Sequence, residues 1–501
     1  MVAVAPISER RASIRPQASD NPASRRGPFR PDRLAPVRER LSGPTLVRLF
    51  TALDTIIVCG LAVLLAVVES PQGLLGQSLG MLLPLIAGLA LTLWGLNVFS
   101  AYRLGQRETL GRHMARVLGA WTLGAGAAMT LTAAEPDATR VAAMWSGLAG
   151  GGLAAAHLWA WTSVRRWRRM GRLTPNVVVV GATDNAARLI ESALASREVN
   201  VLGIFDDRSD RVSKDLKGVP LLGDTHALLD HKILPYVDRV VITVTTSAQA
   251  RIRALIDRLR VLPNAVTLFV DVEGQDTRAA TLSRLADAPL TQVSGVREDE
   301  RRAFWKRVQD LVFGSIALVA AAPIMLLIAI AIRIDSPGPV VFRQRRHGFN
   351  NEAITVLKFR SMRAEATDHT AKRQVEKNDD RVTRIGRFIR RTSLDELPQF
   401  WNVLQGEMSL VGPRPHPIGM ITAGEEIQRL VEEYAWRHRM KPGITGWAQI
   451  NGSRGPVTTR EEVRRRVVLD VEYIERQSFV FDLYILVMTL PRLLGDKEAV
   501  R

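Results

Sequence analysis

The chain has 501 residues, with 68 Lys+Arg against 50 Asp+Glu and a formal net charge of +18. That length suits two or more domains, and the basic excess suits nucleic acid, an anionic membrane surface or a phosphorylated substrate. The single cysteine, Cys59, excludes a disulfide framework and a cysteine-based metal site, and none of the eight histidines forms an HExxH-like pair on one helical face.

Residues 1–44 are rich in Arg, Pro and Ser and poor in large apolar side chains. They read as a disordered cytoplasmic tail, although an Arg-rich, acid-poor start also resembles a transit peptide. Four apolar runs follow, at about 46–69, 81–100, 115–134 and 142–163. Each approaches the ~20 residues that cross a bilayer, so 45–164 is predicted to be a four-helix transmembrane bundle. Basic residues occupy alternate loops: Arg38, Arg40 and Arg48 before the first run, Arg103, Arg107, Arg112 and Arg116 after the second, and RRWRRMGR (165–172) after the fourth. Both ends of the bundle therefore face the cytoplasm. Nucleic-acid binding would explain the charge but not the apolar runs.

Residues 175–272 change character. NVVVVG (176–181), VLGIFDD (201–207), VPLLGD (219–224), RVVITV (239–244) and AVTLFV (265–270) read as strands with helical stretches between them. That alternation predicts a parallel sheet with Rossmann-like winding. The first turn, Gly181-Ala-Thr-Asp-Asn-Ala186, lacks the second glycine of a dinucleotide fingerprint, and Asp184 would repel an anion at the helix start. A structural or regulatory domain without a cofactor fits better than an NAD site, which stays as the alternative.

Residues 273–300 read as a polar linker, and 301–501 as a second α/β domain. It opens with an apolar run, about 308–334, that has basic residues on both sides and Pro323 near its middle. Basic flanks disfavour a crossing, and an internal proline bends a helix. A re-entrant helix that enters and leaves on the cytoplasmic face reconciles the two. FVFDLYILVMTL (479–490) is too short to span comfortably and is either core or interfacial.

The chemistry centres on SLDELPQFWNVLQGEMSLVGPRP (393–415), where Asp395 and Glu396 adjoin an apolar segment. Ser393-Leu-Asp-Glu396 matches a capping box, with Asp395 at a positive helix end. Around the pair lie Lys358 and Arg360 on one side of a strand (KFRSM, 358–362), Arg384, Arg387, Arg390 and Arg391 in RVTRIGRFIRR (381–391), Arg414 in GPRP (412–415), and Lys441 and Arg454 in KPGITGWAQINGSRG (441–455). Basic groups converging on two acids suggest a diphosphate site completed by a metal such as Mg²⁺. Phosphoryl transfer needs positioning and charge neutralisation, and a carboxylate can serve as its nucleophile.

These blocks resemble, in order and over nearly the whole chain, the bacterial polyprenyl-phosphate sugar-phosphate transferases of the large membrane form. SPGPVVFRQRRHG (336–348), KFRSM, TRIGRFIRRTSLDELPQFWNVLQGEMSLVGPRP, KPGITGWAQINGSRG and DVEYIERQSFVFDL (470–483) carry the resemblance. It implies that Asp395 is the covalent nucleophile and that Glu396 helps bind Mg²⁺. Active-site positions of the family match Lys358, Arg390, Arg414 and Asp470. A re-entrant helix broken at a Ser-Pro pair is also implied; here the pair is Ala322-Pro323, which keeps the proline and loses the serine hydroxyl. The implied reaction is ping-pong. Asp395 attacks the β-phosphorus of a UDP-sugar and releases UMP, and undecaprenyl phosphate then takes the sugar phosphate. The implied setting is the bacterial inner membrane, among its lipids, with the catalytic domain cytoplasmic and exopolysaccharide or capsule synthesis downstream. Glucose is the first expectation for the sugar, and the bundle and sheet domain leave room for a homodimer. Two alternatives stand beside this reading: a membrane-tethered nucleotide-binding regulator, and an NAD-dependent sugar-modifying enzyme.

Overall fold

The computed structural model describes residues 36–495, apart from 38–39, 70–77, 104, 106–107, 133–135, 197–198, 209–214, 230, 244–248, 270–291, 295–299, 364–378 and 456. Residues 1–35 of the expected tail and most of the expected linker lie outside the described residues.

Four helices form the N-terminal bundle: α1 (Gly43–Val68), α2 (Leu79–Val98), α3 (Leu110–Leu131) and α4 (Pro136–Arg169). Ser42 and Thr109 start α1 and α3 by accepting from the backbone amides of Thr45 and Arg112, which would otherwise be unpartnered. The helices α1, α2 and α4, with the Glu300–Asp335 helix further on, are long and apolar enough to cross a membrane. The α3 helix is of similar length, but Arg112, His113 and Arg116 load its first two turns with polarity. Close packing of α2 on α3 depends on Gly124, where a Cβ would meet Thr92 Oγ1 at 1.9 Å and the Gly88 carbonyl at 2.5 Å.

The expected strands of the next domain all form: β1 (Asn176–Val180), β2 (Asn200–Phe205), β4 (Val219–Gly223), β5 (Arg239–Ile242) and β6 (Ala265–Leu268). They pair in parallel in the order β4-β2-β1-β5-β6. Two short antiparallel edges close the sheet, β3 (Asp215–Leu216) on β4 and β7 (Gln292–Ser294) on β6. The second of these lies within the segment expected to be linker. Alternation along β1 supplies both faces. Val177 and Val179 pack with helix α5 (Asp184–Ser196), while Val178 and Val180 pack with the helix Gln249–Leu259. The β1–α5 turn is filled from within the chain. Asp206 Oδ2 accepts from the Ala182 amide at 2.7 Å, and Thr183 Oγ1 accepts from the Ala186 amide.

The C-terminal domain begins with the Glu300–Asp335 helix, which continues through Pro323 as one α-helix rather than showing the expected break. Its two ends are anchored to the same domain. At the start, Lys306 pairs with Asp482 at 2.7 Å, and Asp310 accepts from Ser409 Oγ and the Leu410 amide. At the end, Ile328 and Ile332 pack on Phe359 and Ile389. The middle is apolar and uncovered, with Val319 and Leu327 about 70% exposed (74% and 67%). The helix Phe479–Gly495 is both core and surface: Asp482 and Ile485 are buried, whereas Val480 and Val487 are exposed.

Candidate active site

Lys358 stands near the end of β9 (Ala353–Phe359), which pairs antiparallel with β8 (Val341–His347). Asn402, on the helix Gln399–Gln405, fixes that strand by accepting from the Leu357 amide and donating to the Thr355 carbonyl. Lys358 is thereby aimed at the acids, 2.7 Å from Glu396 Oε1 and 3.8 Å from Asp395 Oδ2.

The helix Arg384–Arg391 lies against the segment after β9, because Gly386 has no side chain; a Cβ there would meet the Ser361 carbonyl at 2.0 Å. This turns Arg390 inward, with Nη1 3.5 Å from Ser361 Oγ, and leaves Arg384, Arg387 and Arg391 exposed. Ser393 follows in the left-handed region, φ 57°, and Leu394–Glu396 forms a single 3₁₀ turn. The expected capping box is therefore absent. Ser393 makes no cap bond, its Oγ accepts from Arg454, and Glu396 turns away from the backbone towards cations. A left-handed residue sits at a reversal of the chain, and its side chain does not lie over the following amides.

Arg414 grips Glu396 with two donors, Nη2 to Oε1 at 2.6 Å and Nη1 to Oε2 at 3.2 Å, the planar fork that suits a carboxylate. The GPRP turn can approach because Gly412 and Gly443 face each other backbone to backbone; a Cβ on Gly443 would meet the Gly412 nitrogen at 2.1 Å. Arg437 donates to the Arg414 carbonyl at 2.7 Å and pairs with Asp470 at 2.7 Å, and Arg346 donates to the Pro415 carbonyl.

Of the expected site residues, Lys358, Arg390, Asp395, Glu396 and Arg414 come together. Asp470 is 2% exposed and meets Arg437 behind the Arg414 turn rather than the open face. Arg360 points the other way: it is buried and donates to the Ser336 carbonyl and Oγ, holding the end of the Glu300–Asp335 helix. The alternation that placed it beside Lys358 fails because β9 ends at Phe359. Sequence reasoning missed Asn402, Arg437, His416 and Arg466. Arg466 donates to His416 Nε2 at 3.2 Å and to the Gly455 carbonyl, joining the second Gly-rich loop to the Arg414 turn. No motif marks these residues, because they act from behind the site.

The two acids differ. Burial pushes Asp395 above the ordinary carboxylate range against the pull of Lys358, and the Glu396 charge adds to the rise. Among the described residues, no hydrogen bond donor reaches the Asp395 carboxylate. Burial would also raise Glu396, but Arg414 and Lys358 outweigh it and hold Glu396 well below the usual range. Burial lowers Lys358, with the two acids opposing. His416 is kept neutral by burial and by the nearby Arg437 and Arg466.

An acid pair ringed by Lys358, Arg390 and Arg414, beside an apolar helix held at both ends, defines a membrane-bound enzyme of phosphate chemistry. The chain belongs to the bacterial sugar transferases: residues 301–496 match that family, and residues 97–269 match the family described as a CoA-binding domain. It is similar to the undecaprenyl-phosphate glucose phosphotransferase of Komagataeibacter xylinus, 38% identical over 335 residues. That match covers 66% of this chain and 60% of the relative. The UDP-glucose:undecaprenyl-phosphate glucose-1-phosphate transferase of Xanthomonas campestris pv. campestris is 38% identical over 339 residues, 66% of this chain and 69% of that protein. The exopolysaccharide production protein PSS of Rhizobium leguminosarum bv. phaseoli is 48% identical over 185 residues, 37% of this chain and 92% of that protein.

Proposed function

We propose that the chain transfers a hexose 1-phosphate, glucose first among hexoses, from a UDP-sugar to undecaprenyl phosphate through a covalent intermediate on Asp395. The observation that carries this reading is the inequality of the acids: Asp395 is buried and accepts no hydrogen bond from the described residues, while Glu396 beside it is pinned by Arg414 and Lys358. A poorly solvated carboxylate is a stronger nucleophile than one held by donors. Asp395 Oδ attacks the β-phosphorus, the bond to the UMP oxygen breaks, and UMP leaves. A phosphate oxygen of the polyprenyl phosphate then attacks the same phosphorus and expels the carboxylate. Arg414, Lys358 and Arg390 supply charge for the phosphate oxygens in both steps. The relatives' names support the donor, the acceptor and glucose.

Mg²⁺ fits the acid pair. Glu396 Oε2 accepts one hydrogen bond and Asp395 none, so lone pairs remain, and Mg²⁺ typically takes one or two carboxylates and completes its shell on substrate phosphates. When bound there, mainly through Glu396, it supplies positive charge at the diphosphate. Among the described residues no group of three or more His, Cys, Asp or Glu side chains is arranged for a metal, so substrate oxygens would make up the rest.

Pro323 leaves the Glu300–Asp335 helix unbroken, so the re-entrant reading rests on its two ends, which hold one domain while the apolar middle stays uncovered. With basic residues flanking it, the catalytic domain lies on the cytoplasmic face of the bacterial inner membrane. The dinucleotide alternative loses support at the β1–α5 turn, where Asp206 takes the amide a pyrophosphate would use.

The test is UMP release from a panel of UDP-sugars by membranes carrying the full chain and supplied with undecaprenyl phosphate, with and without Mg²⁺. UDP-glucose is expected to give the fastest release, and only with the metal. No release from any UDP-sugar would overturn the reading.

A further inference from the structure

Ionisable groups are costly inside a bilayer, and those that occur there carry function more often than not. The bundle holds three in a row. Asp54 lies eleven residues into α1, about 16 Å along the helix axis. Its Oδ2 is 3.0 Å from His157 Nε2 on α4, and His157 Nδ1 is 3.1 Å from His113 Nε2 on α3. Asp54, His157 and His113 are 1%, 3% and 0% exposed. The row then opens towards the connection between α2 and α3, where His113 Nδ1 stands 4.0 Å from Glu108 Oε1 and Glu108 pairs with Arg116 at 2.7 Å. That connection lies at the sheet-domain end of the bundle, because Arg168 in the last turn of α4 donates to its Gly105 carbonyl. Among the described residues, Tyr102, from the connection, and Thr51, on α1, also face the row, and α2 carries no titratable side chain.

Proton counting shows what the row can do. With Asp54 ionised and both imidazoles neutral, His157 Nε2–H donates to Asp54 and His113 Nε2–H donates to His157 Nδ1. His113 Nδ1 is then a bare lone pair facing a carboxylate, and among the described residues it has no hydrogen-bond partner. One added proton resolves the mismatch. It joins His113 Nδ1, the His113 Nε2 proton passes to His157 Nδ1, and the positive charge rests on His157 against Asp54. His113 ends neutral, with Nδ1–H directed at Glu108. No bond between heavy atoms changes. The ring nitrogens point at one another and not at a shared centre, which suits a proton rather than a metal ion.

We propose that Asp54, His157 and His113 form a one-proton binding site in the transmembrane bundle, loaded from the Glu108 end, that ties protonation to docking of the α2–α3 connection.

The test is a pH titration of the full chain, labelled with ¹⁵N-histidine, in lipid nanodiscs, reading the imidazole nitrogens by NMR from pH 5 to 8.5. The expected result is one coupled transition. His157 gains both ring protons, while His113 stays neutral and moves its proton from Nε2 to Nδ1. Asp54→Asn is expected to remove the transition from this range. Glu108→Gln should shift its midpoint by about one pH unit to the acid side, as loss of an opposite charge within ~4–6 Å does. Unchanged nitrogens on both rings in the wild-type chain would overturn the site, and that measurement needs no variant to fold. Two independent transitions would overturn the shared proton, and an unmoved midpoint in Glu108→Gln would overturn loading from that end.

Discussion

Two of the chain's pairs of adjacent acids can be set side by side, Asp206–Asp207 in the sheet domain and Asp395–Glu396 in the catalytic domain, and their partners separate structural carboxylates from chemical ones. Asp206 is buried, yet hydrogen bonds from Arg208 and from the Ala182 amide outweigh the burial and bring it down to about 2. Arg251 completes its shell at 3.3 Å. Asp207 is likewise lowered, held against burial by the Thr225 hydroxyl and amide. Every carboxylate oxygen there accepts at least one hydrogen bond within the fold. At the other pair, Glu396 takes the cations and Asp395 is left raised and without hydrogen bonds from the described residues. Adjacent acids in a basic setting are thus ambiguous until their partners are known, and the acid with the fewest partners is the one available to react.

Asp395 carries the largest expected effect. Asp395→Asn keeps the shape and removes the attacking charge, so transfer should fall by at least about a thousandfold. The intact mass after incubation with UDP-sugar should show no phosphosugar adduct. Because the folded-state value of Asp395 is raised, its ionisation costs stability as pH rises through that value. The same variant should therefore melt higher than the wild type at neutral pH. A retained adduct would remove Asp395 from its role.

Glu396→Gln should behave in the opposite sense. It leaves Lys358 and Arg414 buried without their carboxylate, a loss of about 3–5 kcal/mol. The stabilisation from Glu396 is complete above its unfolded value, 4.5, and is lost as pH falls through the depressed folded value. Thermal melts of the variant and the wild type should therefore converge in acid.

Arg437→Lys sharpens the contrast between holding and reacting. It can keep the Asp470 charge pair but loses the planar fork, in which Nη2 holds both Asp470 and the Arg414 carbonyl while Nη1 donates to the Tyr434 hydroxyl, so kcat/KM should fall by about 10–100-fold while the melting midpoint moves less than in Glu396→Gln. A change in melting without a change in kcat/KM would assign Arg437 to folding alone.

The smallest effect belongs to Asp206→Asn, which should leave transfer unchanged and cost about 1–3 kcal/mol at pH 7. Asp206 stabilises fully above about pH 4 and loses this as pH falls towards 2, so the cost should shrink over the same interval. Lost transfer with an unchanged melting curve would make the sheet domain part of the chemistry.

Much of this was legible in the chain. Val177–Val180 alternate onto two faces, so a run of valines announces a strand covered on both sides. Residues 393–415 announce the acids and Arg414 because they lie within one short stretch. Two misreadings concern local backbone geometry. Ser393 looked like a cap, but its backbone is left-handed where the chain reverses; Arg360 looked like a ligand, but β9 ends one residue before it; in both cases the local backbone departs from the regular geometry the pattern assumes.

By itself the sequence determined the apolar spans, the strands and the positions of the acids, because hydrophobic period and local charge are properties of neighbours along the chain. Only the tertiary structure decided which acid is satisfied. Lys358 lies 38 positions from Glu396 and Arg414 lies 18 positions from it, while Arg437, which holds the Arg414 turn, is 23 positions further on. The row of Asp54, His157 and His113 likewise joins residues more than 40 positions apart. A carboxylate's reactivity depends on the donors and the water around it, and those are set by packing between distant segments.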